Sequence, residues 1–211
     1  MPALYAIVDS RTATAHGWSV PDLAEACLAG GVRWLQVRGA GVATGTLVRW
    51  CDEIVRMAAR TDAAVIVNDR VDVARMSGAD GVHLGQHDLP VGAARRQLGR
   101  EAIVGLSTHS AEERADAWSQ PLTYAAVGPV FATSTKATGH APVGLAAVRD
   151  AAARRPLRPV VAIGGITLER APAVVAAGAA AVAVIGDLLA GDDPAARVRA
   201  YVDALGDERP K

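Results

Sequence analysis

Short, almost uninterrupted apolar runs alternate along the chain with longer stretches in which apolar residues recur every three or four positions. The runs are LYAIVD (4–9), WLQVR (34–38), AVIVND (64–69), GVHL (81–84), IVGLS (103–107), YAAVGPV (124–130), VVAIGG (160–165) and VAVIG (182–186). They are rich in Val and Ile and too apolar for a sheet with one wet face. They therefore predict strands buried on both sides, hence parallel ones. Between them, VPDLAEACLAGG opens with Pro21 and Asp22 and closes on glycines, as a helix does. GTLVRWCDEIVRMAAR places Leu47, Trp50, Ile54 and Met57 at helical spacing. TLERAPAVVAAG predicts a helix capped by Thr167, with Pro172 in its first turns, where a missing N–H is best tolerated. CLAGGVRWLQV, RMSGADGVHLG and VAAGAAAVAVIG repeat one scheme: helix end, glycine, a few linking residues, strand. The glycine supplies the left-handed turn that ends a helix.

Eight such units in 211 residues predict an α/β fold. It is a single (β/α)8 TIM barrel of parallel strands over 1–211, with a frayed tail from about 206. The alternative is an open doubly wound sheet. It is disfavoured because IVDSRTATAHG, after the first strand, carries no Gly-rich dinucleotide fingerprint.

Composition narrows this reading. Hydrophobic residues make up 51% of the chain but aromatics only 4%, so the core is expected to be Ala, Val, Leu and Ile. Lys+Arg and Asp+Glu both number 22, which gives no support to nucleic-acid or membrane-surface binding. Cys27 and Cys51 fall in helical patterns without metal-ligand spacing and are expected to be reduced, packed thiols. MPALYAIVDSR has neither a signal-peptide pattern nor a spanning segment, so a cytoplasmic protein is expected. A homodimer is left open.

In a barrel, chemistry collects where strands end. The residues there are Gln36 and Arg38, then Asn68 and Asp69, then Gln86, His87 and Asp88, then Ser107, Thr108 and His109. Gly164 and Gly165 follow strand seven, and Ile185 and Gly186 strand eight. After strand six comes PVFATSTKATGHAPVG (129–144), with Thr133, Ser134, Thr135 and Lys136. The only other lysine is Lys211. Arginine suits forked recognition of phosphate oxygens. Two carboxylates, Asp69 and Asp88, among cations suit a Mg2+ completed by substrate phosphates. Glycines after strands seven and eight let backbone N–H groups approach a second phosphate. Two anionic groups are thus expected. Each residue also has a plainer reading. Asp69 could pair with Arg70 or Arg75, Asp88 could cap a helix, and Arg38 could be a salt-bridge partner in the barrel mouth. His83 reads as a satisfied core histidine, and His87, His109 and His140 as surface residues.

LQVR, VNDRVDVARMSGADGVHLGQHDLP, VGLSTHS, VGPVFATSTK and VVAIGGI, in this order, resemble the successive motifs of the thiamine-phosphate synthase family. The resemblance implies an alkyl transferase of thiamine biosynthesis. Its substrates would be 4-amino-2-methyl-5-pyrimidinylmethyl diphosphate and a thiazole phosphate, its products thiamine phosphate and pyrophosphate. Carried over by position, Gln36, Arg38, Asn68, Ser107 and Lys136 would hold the pyrimidine diphosphate, and Asp69 and Asp88 would bind Mg2+. Thr133 and Thr135 would contact the thiazole, and Gly165, Ile185 and Gly186 would receive its phosphate. Lys136, Arg38 and Ser107 would be the catalytic set. Two positions depart from the pattern. Ala40 stands where the family places a lysine, so either activity is weakened or an arginine elsewhere (Arg70, Arg49) substitutes, and Gly186 stands where serine is common. Two rivals share the scaffold: a thiazole tautomerase, against which Pro129 in VGPVF argues, and a non-catalytic phosphate-ligand regulator.

Overall fold

Each apolar run becomes a strand. The computed structural model of the protein describes residues 1–133, 139–154 and 158–206. Its strands are β1 (Leu4–Asp9), β2 (Trp34–Arg38), β3 (Ala64–Asn68), β4 (Gly81–Leu84), β5 (Ile103–Thr108), β6 (Tyr124–Val127), β7 (Val160–Ile163) and β8 (Ala181–Val184). Neighbours in sequence pair in parallel, and β8 pairs back onto β1, so the sheet closes in the order β1 to β8. Around it lie α1 (Ser10–Ala15), α2 (Val20–Ala29), α3 (Thr44–Ala58), α4 (Val71–Ser77), α5 (Val91–Leu98), α6 (Ala111–Ala117), α7 (Gly144–Arg154), α8 (Ala171–Ala176) and α9 (Pro194–Leu205), with a 3-10 turn at Gly186–Leu189. The expected (β/α)8 barrel is the observed one.

The strands end earlier than the apolar runs in four places, two of them at residues with positive φ. Asp69 takes φ 62° and stops β3, while Gly164 (φ 102°) and Gly165 (φ 62°) stop β7. A cis Gly128–Pro129 bond follows β6. Ile185 and Gly186 lie just past β8 rather than in it. The expected cap at Thr167 is also corrected. The Thr167 carbonyl accepts the N–H groups of Arg170 and Ala171 in a turn, and helix α8 starts after Arg170.

Successive residues of a strand face opposite sides. In a closed barrel this sorts them into an interior and a helix-facing layer. The interior holds Tyr5 and Ile7 of β1, Trp34 of β2, Ile66 of β3, Tyr124 and Ala126 of β6, Val161 of β7, and Ala181 and Ala183 of β8. Their neighbours Leu4, Ala6, Val8, Leu35, Val37, Val65 and Val67 pack outward against the helices. Three of the eight aromatic residues lie inside. Tyr5, Trp34 and Tyr124 meet with ring centroids 5.4–5.9 Å apart and plug the barrel. In α3, Leu47, Cys51 and Ile54 are buried, whereas Trp50 and Met57 are only partly covered. Cys27 and Cys51 are free thiols whose pKa burial pushes up to about 12, as expected of packed, unreactive sulfur.

A β-carbon on Gly105 would overlap the Tyr124 ring, so β5 must be bare where the aromatic plug crosses it. Gly105→Ala is expected to destabilise the protein by about 1–3 kcal/mol through overpacking. Urea unfolding checks this, and an unchanged midpoint would contradict the packing described.

Candidate active site

The alternation that fills the barrel also builds its mouth. On β1, β2, β3 and β5 the interior positions continue through Asp9, Gln36 and Arg38, Asn68, and Ser107, so these polar groups emerge together where the strands end. Two cavities open there. The smaller, about 120 Å³, is bordered by Gln36, Arg38, Asn68, Asp69, His83, Asp88 and Ser107. The larger, about 380 Å³, lies beside Thr133, Gly164, Gly165, Gly186 and Arg170. Ser107, Ile163, Ala183 and Ile185 border both, so the cavities are two lobes with a common wall.

A chain of hydrogen bonds runs beneath the smaller lobe. Gln36 Nε2 donates to the Tyr5 hydroxyl (2.8 Å), which also accepts from Tyr124 (3.0 Å). The Tyr124 oxygen meets His83 Nδ1 at 2.9 Å, and His83 Nε2 meets Ser107 Oγ at 2.8 Å. His83 also stacks on Tyr124, with centroids 5.6 Å apart. With Tyr124 donating to Tyr5, its oxygen accepts the His83 Nδ1–H, and the Nε2 lone pair is left to accept the Ser107 hydroxyl. Burial raises both tyrosine pKa values, so both hydroxyls keep their protons at neutral pH. The chain holds Ser107 and Gln36 in place. Gln36 can then offer the lobe its carbonyl oxygen and its second N–H, one N–H being committed to Tyr5. His83 is indeed buried and hydrogen-bonded, as the sequence suggests, but it also borders the lobe.

Arg38 does pair, with the buried carboxylate of Asp9. Asp9 is also the N-cap of α1, accepting from the Thr12 N–H and hydroxyl at 2.9 Å each. Burial alone would raise the Asp9 pKa, but the Thr12 and Arg38 contacts outweigh it and hold the pKa below the usual aspartate value. The folded pKa being depressed, the contribution to stability is present above the unfolded value of about 4 and is lost as pH falls through the folded one. Arg38 and Asp9 thus offset each other at the smaller lobe, where Asp69 and Asp88 also stand.

Asp69 does not pair with Arg70, which binds Asp72 (2.6 and 2.8 Å) and Thr44 (3.1 Å). Its N–H donates to the His83 carbonyl at 2.8 Å, with the backbone in the left-handed region that few side chains tolerate. Asp88 does not cap α5, whose N-cap is Pro90. Its Oδ2 accepts the Gly85 N–H at 2.7 Å, which turns it toward the lobe. Among the described residues no three His, Cys, Asp or Glu side chains converge as a metal cage. Two carboxylates beside an amide suit a hard cation that fills its shell with substrate oxygens and water, and do not suit zinc.

Thr133 borders the larger lobe, whereas Thr135 and Lys136 lie outside the described residues. Gly165, Ile185 and Gly186 line the same lobe. Arg49, bound to Thr46, and Arg70, bound to Asp72 and Thr44, do not border the smaller lobe. Arg11, just after β1, has its Nη2 3.8 Å from where a β-carbon on Gly41 would stand. The sequence reading missed two residues of the mouth. Asp9 ends β1, and applying the strand-end rule to the first strand would have found it. Arg170 borders the larger lobe from beyond β7 and carries no periodic signal. His109, read as a surface residue after β5, borders the same lobe with Nδ1 2.7 Å from the Gly128 carbonyl.

The family model described as thiamine monophosphate synthase matches residues 4–188. A thiamine-phosphate synthase of Synechococcus sp. (strain WH7803) is 44% identical over 183 residues, 86% of this chain and 51% of that protein. The thiamine-phosphate synthase of Mycolicibacterium smegmatis is 42% identical, with 97% of this chain and 93% of that protein aligned. The solved thiamine phosphate pyrophosphorylase from Pyrococcus furiosus superposes with a TM-score of 0.86 at 29% identity, covering 96% and 95% of the two chains. The chain thus spans about half the length of the Synechococcus protein and nearly all of the other two.

Asp9→Asn leaves Arg38 without its counter-charge and is expected to cost about 2 kcal/mol at pH 7. The difference from the parent protein should shrink as pH falls below about 4 and through the depressed pKa of the parent's Asp9. Unfolding measured across pH checks this, and a pH-independent difference would remove the ion pair as its cause.

Proposed function

The chain belongs to the thiamine monophosphate synthase family, and we propose that it joins 4-amino-2-methyl-5-pyrimidinylmethyl diphosphate to a thiazole phosphate, giving thiamine phosphate and pyrophosphate. The observation that carries this reading is the pair of lobes sharing one wall, the smaller carrying carboxylates and the larger bordered by glycines. The smaller lobe holds the pyrimidine diphosphate through Gln36, Arg38, Asn68 and Ser107. The larger holds the thiazole against Thr133 and Thr135, with its phosphate on the backbone of Gly165, Ile185 and Gly186. The shared wall brings the two reacting atoms together.

The bond between the pyrimidine methylene carbon and its diphosphate oxygen breaks, and the electron pair leaves with pyrophosphate. The aminopyrimidine ring stabilises the resulting cation. The thiazole nitrogen then supplies its lone pair to that carbon, forming the new C–N bond. No side chain acts as nucleophile. The residues' tasks are to hold both rings, exclude water and stabilise the leaving diphosphate. Asp69 and Asp88 would hold Mg2+, which neutralises charge on the departing pyrophosphate. That both carboxylates border one small cavity supports that assignment. Lys136 adds positive charge at the leaving group, and Arg11, beside Gly41, can reach the segment where Ala40 stands. The protein works in the cytoplasm, and among the described residues no helix is long and apolar enough to cross a membrane.

Both substrates supplied with Mg2+ are expected to release pyrophosphate, as a coupled phosphate assay reads. Binding of both without turnover would favour the regulator, and conversion of the thiazole alone the tautomerase. Asp69→Asn keeps a residue type that tolerates left-handed backbone while removing the charge. It should retain the parent's melting temperature, lose most activity, and lose the Mg2+-dependent rise in melting temperature with pyrophosphate. Normal Mg2+ dependence in that variant would refute the metal assignment. Lys136→Ala should lower kcat much more than it weakens thiazole phosphate binding, and equal losses in both would remove its leaving-group role.

A further inference from the structure

The larger lobe carries a charge to which the sequence assigns no task. Arg170 sits five residues beyond Gly165 and borders the cavity. Its guanidinium is held in two ways: Nη1 donates to the Gly165 carbonyl at 2.8 Å, and the group lies over the Phe131 ring, 4.8 Å from its centroid. Phe131 is itself fixed, its N–H donating to the Gly164 carbonyl at 3.0 Å. The stacking and the single backbone contact leave most of the guanidinium's fork of donors unspent. Among the described residues Arg170 makes no ion pair.

The other ionisable groups of the lobe are committed. Asp187 borders it, but its Oδ2 accepts from Arg197 (2.8 Å), the Tyr201 hydroxyl (2.5 Å) and the Leu168 N–H (3.1 Å). His109 is engaged with the Gly128 carbonyl and stacks on His140, centroids 4.1 Å apart. The remaining wall at Gly164 and Gly165 has no room for side chains, since a β-carbon on either would overlap Pro129 or Phe131. The described part of the lobe therefore has one unpaired fixed charge, and it is positive.

We infer that Arg170 is a specificity-determining residue for the acceptor, selecting the phosphorylated thiazole over the free alcohol by a charge-assisted contact with the phosphate monoester. The inference rests on the reading of the lobes given above. It assigns to Arg170 the discrimination that backbone amides alone supply weakly, because amides bind a neutral hydroxyl as well, whereas a guanidinium rewards the dianion. The contact also offsets the loss of a hydroxyl donor at Gly186.

The test compares the parent protein with Arg170→Ala, Arg170→Gln and Arg170→Lys. Each is assayed with pyrimidine diphosphate and Mg2+ against thiazole phosphate and against the thiazole alcohol. In Arg170→Ala and Arg170→Gln, KM for thiazole phosphate should rise about tenfold to a hundredfold, with KM for the pyrimidine diphosphate unchanged. The kcat/KM preference for phosphate over alcohol should fall by the same factor, and Arg170→Lys should recover much of it. Arg170→Gln controls for packing, since it keeps a donor near Gly165. An unchanged phosphate-to-alcohol preference in both neutral variants would overturn the inference, as would an equal rise in KM for both substrates. If the parent protein releases no pyrophosphate, the proposed reaction fails on its own. Calorimetric binding of thiazole phosphate to parent and Arg170→Gln then decides the role of Arg170: a tenfold or greater weakening supports it, and equal affinity or no binding to the parent ends it.

Discussion

Closing eight parallel strands into a cylinder gives every strand one interior face, and the two-residue repeat of the strand then dictates which side chains share it. The rest of the structure depends on this constraint. Tyr5 and Ile7 must be followed inside by Asp9, Trp34 by Gln36 and Arg38, Ile66 by Asn68, and Gly105 by Ser107. On these strands the lower positions are apolar and fill the barrel, and the last interior position is polar and reaches the mouth, whereas β6, β7 and β8 keep Ala126, Ile163 and Ala183 there. A one-residue slip in any strand would exchange the two sets. Packing of the interior and assembly of the site are thus one event.

The interior polar chain ties these layers together. Gln36, Tyr5, Tyr124, His83 and Ser107 come from five strands, and each partner satisfies the next. Buried polar groups are tolerable only when paired, and a fully paired network specifies one arrangement. The aromatic plug needs Gly105 bare to admit Tyr124. The floor of the smaller lobe is rigid for that reason, and Ser107 on the shared wall inherits the rigidity.

Electrostatics divides the mouth. In the smaller lobe Arg38 is spent on Asp9, and Asp69 and Asp88 stand beside the pair. In the larger lobe Asp187 is tied back by Arg197 and Tyr201, and among the described residues Arg170 makes no ion pair. One lobe thus gathers carboxylates, and the other carries a cation of its own. The proposed reaction would use that asymmetry, with a metal beside the donor diphosphate and the acceptor held through its monoester.

The sequence by itself determined the eight strand–helix units, their parallel pairing and the cluster of polar residues at the strand ends. Each of these follows from local signals: apolar runs, helical spacing, and the glycines and prolines that punctuate them. Gln36, Arg38, Asn68, Asp69 and Ser107 were legible because they interrupt or end apolar runs, and Asp88 because it stands in the loop that follows one. Only the tertiary structure decided that Asp9 neutralises Arg38, that His83 serves both core and lobe, and that Arg170 reaches the larger cavity. The strands are apolar on both faces, so their sequence does not reveal which face is interior. The contacts of Asp9 and Arg170 join elements distant in the chain, and such pairings exist only once the barrel has closed.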